Sequence, residues 1–259
     1  MGRSSTGRSW LAWRRLAREL RAACLDLMLP PHCPGCGAAA SELERGRDLC
    51  APCRAHLQEL PPGGCRRCGQ PLPDAGPCRA DHGLLVGLAW ACAPFRYAGT
   101  GGALVRRLKL SGDFGALPLL AAAMAGAAAR RTAPATGSDG ADWRHAVLVP
   151  VPLHRLRRRR RGYDQAALLA REVALRLGVR AAGALRRTRH TLPQGDPRVR
   201  SRPGNVDGAF TVVRPQAVVG RAVVLIDDVA TSGATARACA AELRRAGCMR
   251  VALLTACRA

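Results

Sequence analysis

Apolar positions change their period several times along this chain, and each change predicts an element. Trp13, Leu16, Leu20, Ala23 and Leu27 recur every three or four residues. That spacing predicts an amphipathic helix within residues 1–30, its outer face basic, stopped by Pro30 and Pro31. It suits docking onto the rest of the chain, an acidic membrane surface or DNA. From residue 86 onward, strand-like and helix-like stretches alternate. Strands are predicted over 88–95, 146–151 and 251–255, with another beginning at Ala222. Helices are predicted over 103–110 and 117–130. A further helix is capped by Asp164, with Leu168, Leu169, Val173 and Leu177 inward and Gly178 as its stop. The last helix turns Ala236, Cys239, Ala240 and Leu243 inward and stops at Gly247. Such alternation implies an α/β fold, a parallel sheet flanked by helices. Residues 132–142, rich in Thr, Ala, Pro, Gly, Ser and Asp, read as a surface loop.

Between the first helix and this alternating region lies a cysteine-rich stretch. Cysteines pair as Cys33 with Cys36, Cys50 with Cys53, and Cys65 with Cys68, and Cys78, Asp81 and His82 follow. A Cys-x-x-Cys knuckle followed by glycine, as at Gly37 and Gly69, offers two thiolates to one tetrahedral zinc, and a second knuckle completes the shell. Cys33, Cys36, Cys50 and Cys53 thus form one predicted zinc site. Cys65, Cys68 and Cys78 form an incomplete second one, for which His82 is a better fourth ligand than Asp81. Redox-active dithiols are the competing reading, but three knuckles without a surrounding βαβ unit speak against them. The chain divides into a basic helix at 1–30, a cysteine-rich module at 31–85 and an α/β domain at 86–259.

Composition sharpens this picture in two ways. The 259 residues suffice for one good core with an appended small module or for two modest domains, and with aromatics at only 3% the core must be aliphatic. The net charge is +23, carried by arginine; Lys109 is the only lysine. Such a field attracts polyanions, nucleic acid foremost, although host coding bias also produces solvated arginines. No cleavable leader is apparent, because Arg14, Arg15, Arg18, Glu19 and Arg21 interrupt every apolar run before residue 30. The most apolar stretch, 116–129, falls short of the roughly 20 residues that span a bilayer. No transmembrane segment and a cytoplasmic location are therefore expected. There the twelve cysteines would serve as metal ligands or buried thiols rather than disulfides.

The chemistry concentrates after Ala222. A short apolar run ends in Asp227 and Asp228; Val229 and Ala230 follow, then Thr231, Ser232, Gly233, Ala234 and Thr235, where a helix begins. Backbone N–H groups of such a loop and the positive end of the helix dipole form a phosphate site. Gly233 lets the backbone approach an anion, and the hydroxyls of Thr231, Ser232 and Thr235 donate to it. The two carboxylates accept hydrogen bonds from vicinal sugar hydroxyls or hold Mg²⁺ through water. A phosphorylated sugar suits both halves. An ordinary strand-to-helix turn with solvated acids is the plainer alternative, and the apolar run and hydroxyl-glycine loop argue against it. Residues 149–165 hold a second constellation, Val-Pro-Val-Pro-Leu-His, an arginine run, then Gly162, Tyr163, Asp164 and Gln165. It reads as an arginine loop joining a strand to a helix at the same sheet edge. Arg155, Arg157 and Arg161 are candidates to clamp a pyrophosphate or nucleic-acid phosphates.

The Asp227–Thr235 segment resembles the 5-phosphoribosyl-1-diphosphate (PRPP) signature of type I phosphoribosyltransferases. With the arginine block, the Thr191–Gln194 and Asn205–Phe210 blocks and the N-terminal cysteine module, nearly the whole chain resembles the competence protein ComF family. The chain differs from the family's usual pattern at Ala230, Asp164, Arg160, Pro197 and Ser201. The resemblance implies a type I phosphoribosyltransferase-like parallel sheet with a small N-terminal zinc-ribbon module. It implies PRPP with Mg²⁺ and zinc as bound groups, and a closing loop between residues 191 and 210. It also implies a role in internalising single-stranded DNA during natural transformation, alongside the DNA-uptake machinery.

An active phosphoribosyltransferase of nucleotide or related metabolism is the alternative, with Asp227 and Asp228 as catalytic candidates. Such an enzyme would need a platform for an acceptor base, for which Tyr163 and Phe210 are the aromatic candidates near these blocks. A zinc-dependent transcription regulator is a third reading, and no recognition helix flanked by dimerising elements supports it.

Overall fold

The computed structural model describes residues 32–39, 49–62, 64–65, 67–72, 77–78, 86–132, 143–189 and 208–259. The predicted N-terminal helix, the surface loop after Thr132, Asp81 and His82, and the predicted closing-loop residues 191–207 lie outside them.

A short helix α1 (Ala51–Ala55) belongs to the cysteine module. The larger body runs β1 (Ala91–Cys92), β2 (Phe95–Arg96), α2 (Gly99–Arg106), α3 (Ala116–Thr132), β3 (Val147–Pro150), α4 (Arg155–Arg161) and α5 (Gln165–Leu177). It continues through β4 (Arg180–Ala181), β5 (Leu185–Arg187), β6 (Phe210–Val212), β7 (Ala222–Ala230), α6 (Ala234–Arg245) and β8 (Arg250–Arg258). The main sheet has the order β1-β8-β7-β3-β4, with β2 also on β8, and every pairing in it is parallel. β5 and β6 form a separate antiparallel ribbon.

Both faces of the sheet are covered, as an all-parallel sheet requires. On one face Leu104, Leu108, Leu120, Met124 and Leu169 pack with Val224, Ile226 and Leu254. On the other Cys239, Leu243 and Phe210 pack with Val223, Leu225 and Leu253. Strand alternation divides β7 in this way, sending neighbouring residues to opposite layers. Of the inward positions read from the helical period, Leu169, Val173, Ala236, Cys239, Ala240 and Leu243 are buried, whereas Leu168 and Leu177 are only half-buried.

The cysteine module lies along the free side of β1 and β2. Ala91 N–H donates to Arg67 O (2.8 Å), Arg96 N–H to Gln58 O (2.9 Å), and Leu60 N–H to Pro94 O (2.8 Å). These bonds cap a sheet edge that would otherwise be open to pairing. They also account for a departure from expectation: the strand expected over 88–95 forms two short pieces, its outer groups being taken by the module.

Two further expectations change. The arginine run is a helix, α4, rather than a loop. His154 caps it by accepting from Leu156 N–H, and Gly162 ends it in the left-handed region. The signature strand does not stop at the acids, because β7 stays paired with β8 as far as Ala230.

Candidate ligand site and metal clusters

β7 carries Asp227 and Asp228 into the carboxyl-end rim of the sheet, and alternation turns them to opposite faces. Asp228 is 4% exposed. Its Oδ2 accepts from Gln165 Nε2 at 2.9 Å and lies 3.4 Å from Lys109 Nζ. Asp227 faces the layer of α6 and β5, where its charge acts on Cys239 and Arg187. Its own Oδ1 accepts from Asp228 N–H at 2.8 Å. Burial, with the neighbouring Asp228 charge adding to it, pushes the Asp227 carboxyl up to about 8.

Beyond the strand, a shallow open pocket is lined by Asp227, Val229, Ala230, Thr231, Gly233 and Thr235, together with Ala236, Leu253 and Thr255. Gly233 sits at φ 75° as the N-cap of the 12-residue α6, with no side-chain cap. That left-handed turn, which glycine adopts without strain, aims the start of α6 at the pocket. Ser232 Oγ accepts from Ala234 N–H at 3.4 Å, so that hydroxyl faces its own loop. An acid, a set of hydroxyls and a helix N-terminus therefore converge on one concavity at the carboxyl ends of parallel strands, where ligands of open α/β sheets bind.

Asp164 fixes the second constellation. Its Oδ1 accepts from the N–H groups of Ala166 (3.1 Å) and Ala167 (3.2 Å), and its Oδ2 from Leu153 N–H (3.1 Å). Arg161 Nη1 donates to Gln165 Oε1 at 2.5 Å, which ties α4 to the partner of Asp228. Arg157 and Arg161 are half-buried, and Arg155 is exposed. Arg187 on β5 faces the same region: burial and the charge of Arg157 lower its guanidinium from the ordinary value. Arg157 itself is lowered by burial and by Arg161. Three guanidiniums, those of Arg157, Arg161 and Arg187, thus approach one another beside the acids.

Of the two aromatic platforms expected, Phe210 is 3% exposed and lies in the core beneath Arg187. Tyr163 donates its hydroxyl to Leu108 O at 2.6 Å and meets Phe114 edge-on at 5.1 Å. Phe114, Gln165, Arg187 and Lys109 are neighbours of the site that the sequence reading left without a role. A single lysine in so arginine-rich a chain was the available signal for the last of them.

Two sulfur clusters lie on the module. The sulfurs of Cys33, Cys36, Cys50 and Cys53 all fall within 4.8 Å of one another, as do those of Cys65, Cys68 and Cys78. A tetrahedron of thiolates with Zn–S of about 2.3 Å has an edge of about 3.8 Å. The Cys36–Cys50 sulfur separation is 3.8 Å. Both knuckles share one backbone pattern: Gly37 N–H donates to Cys33 O and Cys33 N–H to Ala38 O, as Gly69 does to Cys65 and Cys65 to Gln70. Cys50 N–H and Ala38 N–H point at Cys33 Sγ (3.4 Å) and Cys36 Sγ (3.5 Å).

Burial acts to raise the Cys33 thiol, but the N–H groups of Cys50, Cys36 and Gly35 outweigh it and bring it down to about 6. Cys53 is pushed up to about 12 by burial and by its neighbouring thiols. Several thiolates can share so small a volume only around a cation, and four soft ligands at this spacing fit zinc. Cys33, Cys36, Cys50 and Cys53 would hold one ion, and Cys65, Cys68 and Cys78 would supply three ligands of a second.

A parallel α/β sheet with a double cysteine-cluster module along its edge is the class of protein that fold and site define. Residues 24–80 match the family model described as a double zinc ribbon domain. Competence protein F of Haemophilus influenzae is 34% identical over 103 residues, covering 39% of this chain and 45% of that protein. The DNA utilization protein YhgH of Escherichia coli K12 is 37% identical over 112 residues, covering 43% of this chain and 48% of that protein. The YhgH protein of Salmonella typhimurium is 36% identical over the same length. The chain thus spans about half the length of the curated relatives it matches.

A solved structure of the allosteric regulatory enzyme of purine biosynthesis covers 54% of this chain and 25% of its own, at 20% identity and a TM-score of 0.34. That likeness is too loose to carry weight. The chain is thus similar to Competence protein F and to YhgH over about two fifths of its length, and to the double zinc ribbon over residues 24–80.

Proposed function

We propose that the chain binds a phosphoribosyl ligand, PRPP with Mg²⁺, in the pocket lined by Asp227, Val229, Ala230, Thr231, Gly233 and Thr235, with Asp228, Ser232 and Ala234 of the same segment beside it. We further propose that it serves the handling of single-stranded DNA in the cytoplasm during natural transformation, in contact with the DNA-uptake machinery. The observation that carries the first part is the convergence of Asp227, the hydroxyl loop and the N-terminus of α6 on one pocket. Anions are stabilised at such a helix start. Asp228, already faced by Lys109, suits the acceptance of ribose hydroxyls, while Mg²⁺ travels with the diphosphate. Arg157 and Arg161 suit the diphosphate or a DNA phosphate, and exposed Arg155 suits DNA. The second part rests on the relatives, which are described as competence and DNA utilization proteins, and on the +23 charge. The division into residues 1–30, 31–85 and 86–259 is part of the same reading.

Binding alone is proposed: Phe210 lies in the core, closed to a stacked acceptor base, and Tyr163 is half-buried with its hydroxyl on Leu108 O. The test is a melting curve of zinc-loaded protein with and without PRPP-Mg²⁺. A ligand at 100 times its dissociation constant stabilises the fold by about 2.7 kcal/mol. A shift in the wild type that disappears in the Asp227→Asn/Asp228→Asn variant supports the site. No shift in the wild type reduces the signature to scaffold.

A further inference from the structure

We propose that Lys109 is a cationic residue of the phosphoribosyl site, beside Arg157 and Arg161, and that the first cysteine cluster fixes its position. The first half deepens the binding reading above and rests on it; the second half stands on geometry alone.

Lys109 lies on a π-helical turn, Arg107–Ser111, that continues α2. Single π-turns are frequent at functional sites. The side chain of Lys109 is 37% accessible, whereas that of its partner Asp228 is 6% accessible. The ammonium therefore reaches from the open rim to a buried carboxylate, and a flexible four-carbon stem lets it move onto an incoming phosphate oxygen.

This turn is held at both ends by the first cluster. At the start of α2, Thr100 Oγ1 donates to Cys53 O at 2.7 Å. At the far end, Arg107 Nε and Nη2 donate to Asp113 Oδ2 at 2.9 and 2.6 Å. The same oxygen lies 3.1 Å from Nε2 of His32, the residue before Cys33. The guanidinium of Arg107 lies flush on the Cys33 knuckle, where a Cβ at Gly37 would fall 2.5 Å from Nη1. Gly37 also sits at φ 78°, so both space and backbone suit glycine there. Lys109 lies between the two anchor residues, Arg107 and Asp113. From the opposite side Tyr163 binds Leu108 O and completes the clamp. The segment is a strap whose ends rest on the metal module and whose middle reaches Asp228. Arg107 and Asp113 are thus positioning residues acting through Lys109.

Because Lys109 is the only lysine, lysine-selective isotope labelling yields one side-chain NMR signal to follow in the zinc-loaded chain. The probes are PRPP-Mg²⁺, the strap variants Arg107→Gln and Asp113→Asn, and Lys109→Met. We expect both strap variants to shift the signal with zinc content unchanged, and PRPP-Mg²⁺ to shift it in the wild type. Lys109→Met should weaken PRPP affinity by about tenfold or more, as loss of a charge-assisted contact does. A signal indifferent to both strap variants overturns control by the cluster. A signal that moves in the variants but not with PRPP-Mg²⁺, in a protein whose melting PRPP-Mg²⁺ does shift, overturns the role of Lys109. Absence of both the melting shift and the signal shift with PRPP-Mg²⁺, while the strap variants still move the signal, overturns the phosphoribosyl reading and leaves the strap standing.

Discussion

Gln165 donates through Nε2 to Asp228 Oδ2 at 2.9 Å, joining the first residue of α5 to the carboxylate of the signature strand. Gln165 is 3% exposed and Asp228 4%, so each satisfies the other out of water. Gln165→Ala leaves Asp228 with Lys109 and no neutral donor. Hydrogen bonds to charged groups contribute about 1.5–3 kcal/mol. A loss of that size in urea denaturation is expected, with helical circular dichroism preserved. Unchanged stability would mean that water replaces the amide.

The Asp227 carboxyl is raised from 3.8 to about 8, first by burial and then by the Asp228 charge. Between those values the unfolded chain has released a proton that the native chain still holds, so native stability falls as pH rises from about 4 to about 8. Above that range the contribution is constant. Asp227→Asn removes the slope. The variant should show a flatter stability profile across this window, melt above the wild type at pH 8, and lose the shift with PRPP. Melting below the wild type at pH 8 would assign the carboxylate to structure instead of ligand binding.

Asp164 uses both oxygens, one to cap α5 and one to accept from Leu153 N–H. Asp164→Asn keeps the cap, since asparagine is as good an N-cap. Its amide NH₂ then faces the Leu153 N–H, leaving a part-buried donor without an acceptor. A cost of about 1–2 kcal/mol is expected in chemical denaturation. Equal stability would show that Leu153 turns to water.

What could be read from the sequence is what short-range physics decides. Leu169 and Val173 repeat on one helix face, and Cys239 and Leu243 on another, because burial selects that spacing within a single element. The paired knuckles were legible for the same reason: thiolate spacing is local. The arginine run was read as a loop because it joins a strand to a helix, but the His154 cap and the left-handed Gly162 bound a helical turn instead. The length of β7 was hidden because Asp227, Val229 and Ala230 are held by pairing with Thr255, Cys257 and Arg258. Strand propensity is low for Asp, and tertiary pairing overrode it. The meeting of Lys109 with Asp228 depends on how α2 and β7 pack, which no local pattern encodes.

Metal analysis should find two zinc ions per chain. Cys36→Ser is expected to remove one and Cys78→Ser the other. Because the module caps the free side of β1 and β2, stripping both with a chelator should lower the melting temperature of the whole chain. Metal-site free energy is folding free energy in small modules. His82, outside the described residues, is the predicted fourth ligand of the second ion; His82→Ala should weaken that ion and leave the first. A single zinc in the wild type would mark the second cluster as reduced thiols without metal.

α4 turns Arg155, Arg158, Arg159 and Arg160 outward, while Arg157 and Arg161 face the site. If the exposed set meets DNA phosphates, single-strand affinity must fall with salt, with a log–log slope of about −0.7 per contact. Replacing Arg158, Arg159 and Arg160 with glutamine should reduce that slope by about 2 and weaken binding to all sequences alike. The melting temperature should hold, since none of the three is buried. PRPP-induced stabilisation should persist, because Arg157, Arg161, Asp227 and the α6 N-terminus are untouched. An unchanged salt slope would place the polyanion surface elsewhere among the arginines. A lost PRPP shift would instead join the outward arginines to the ligand site.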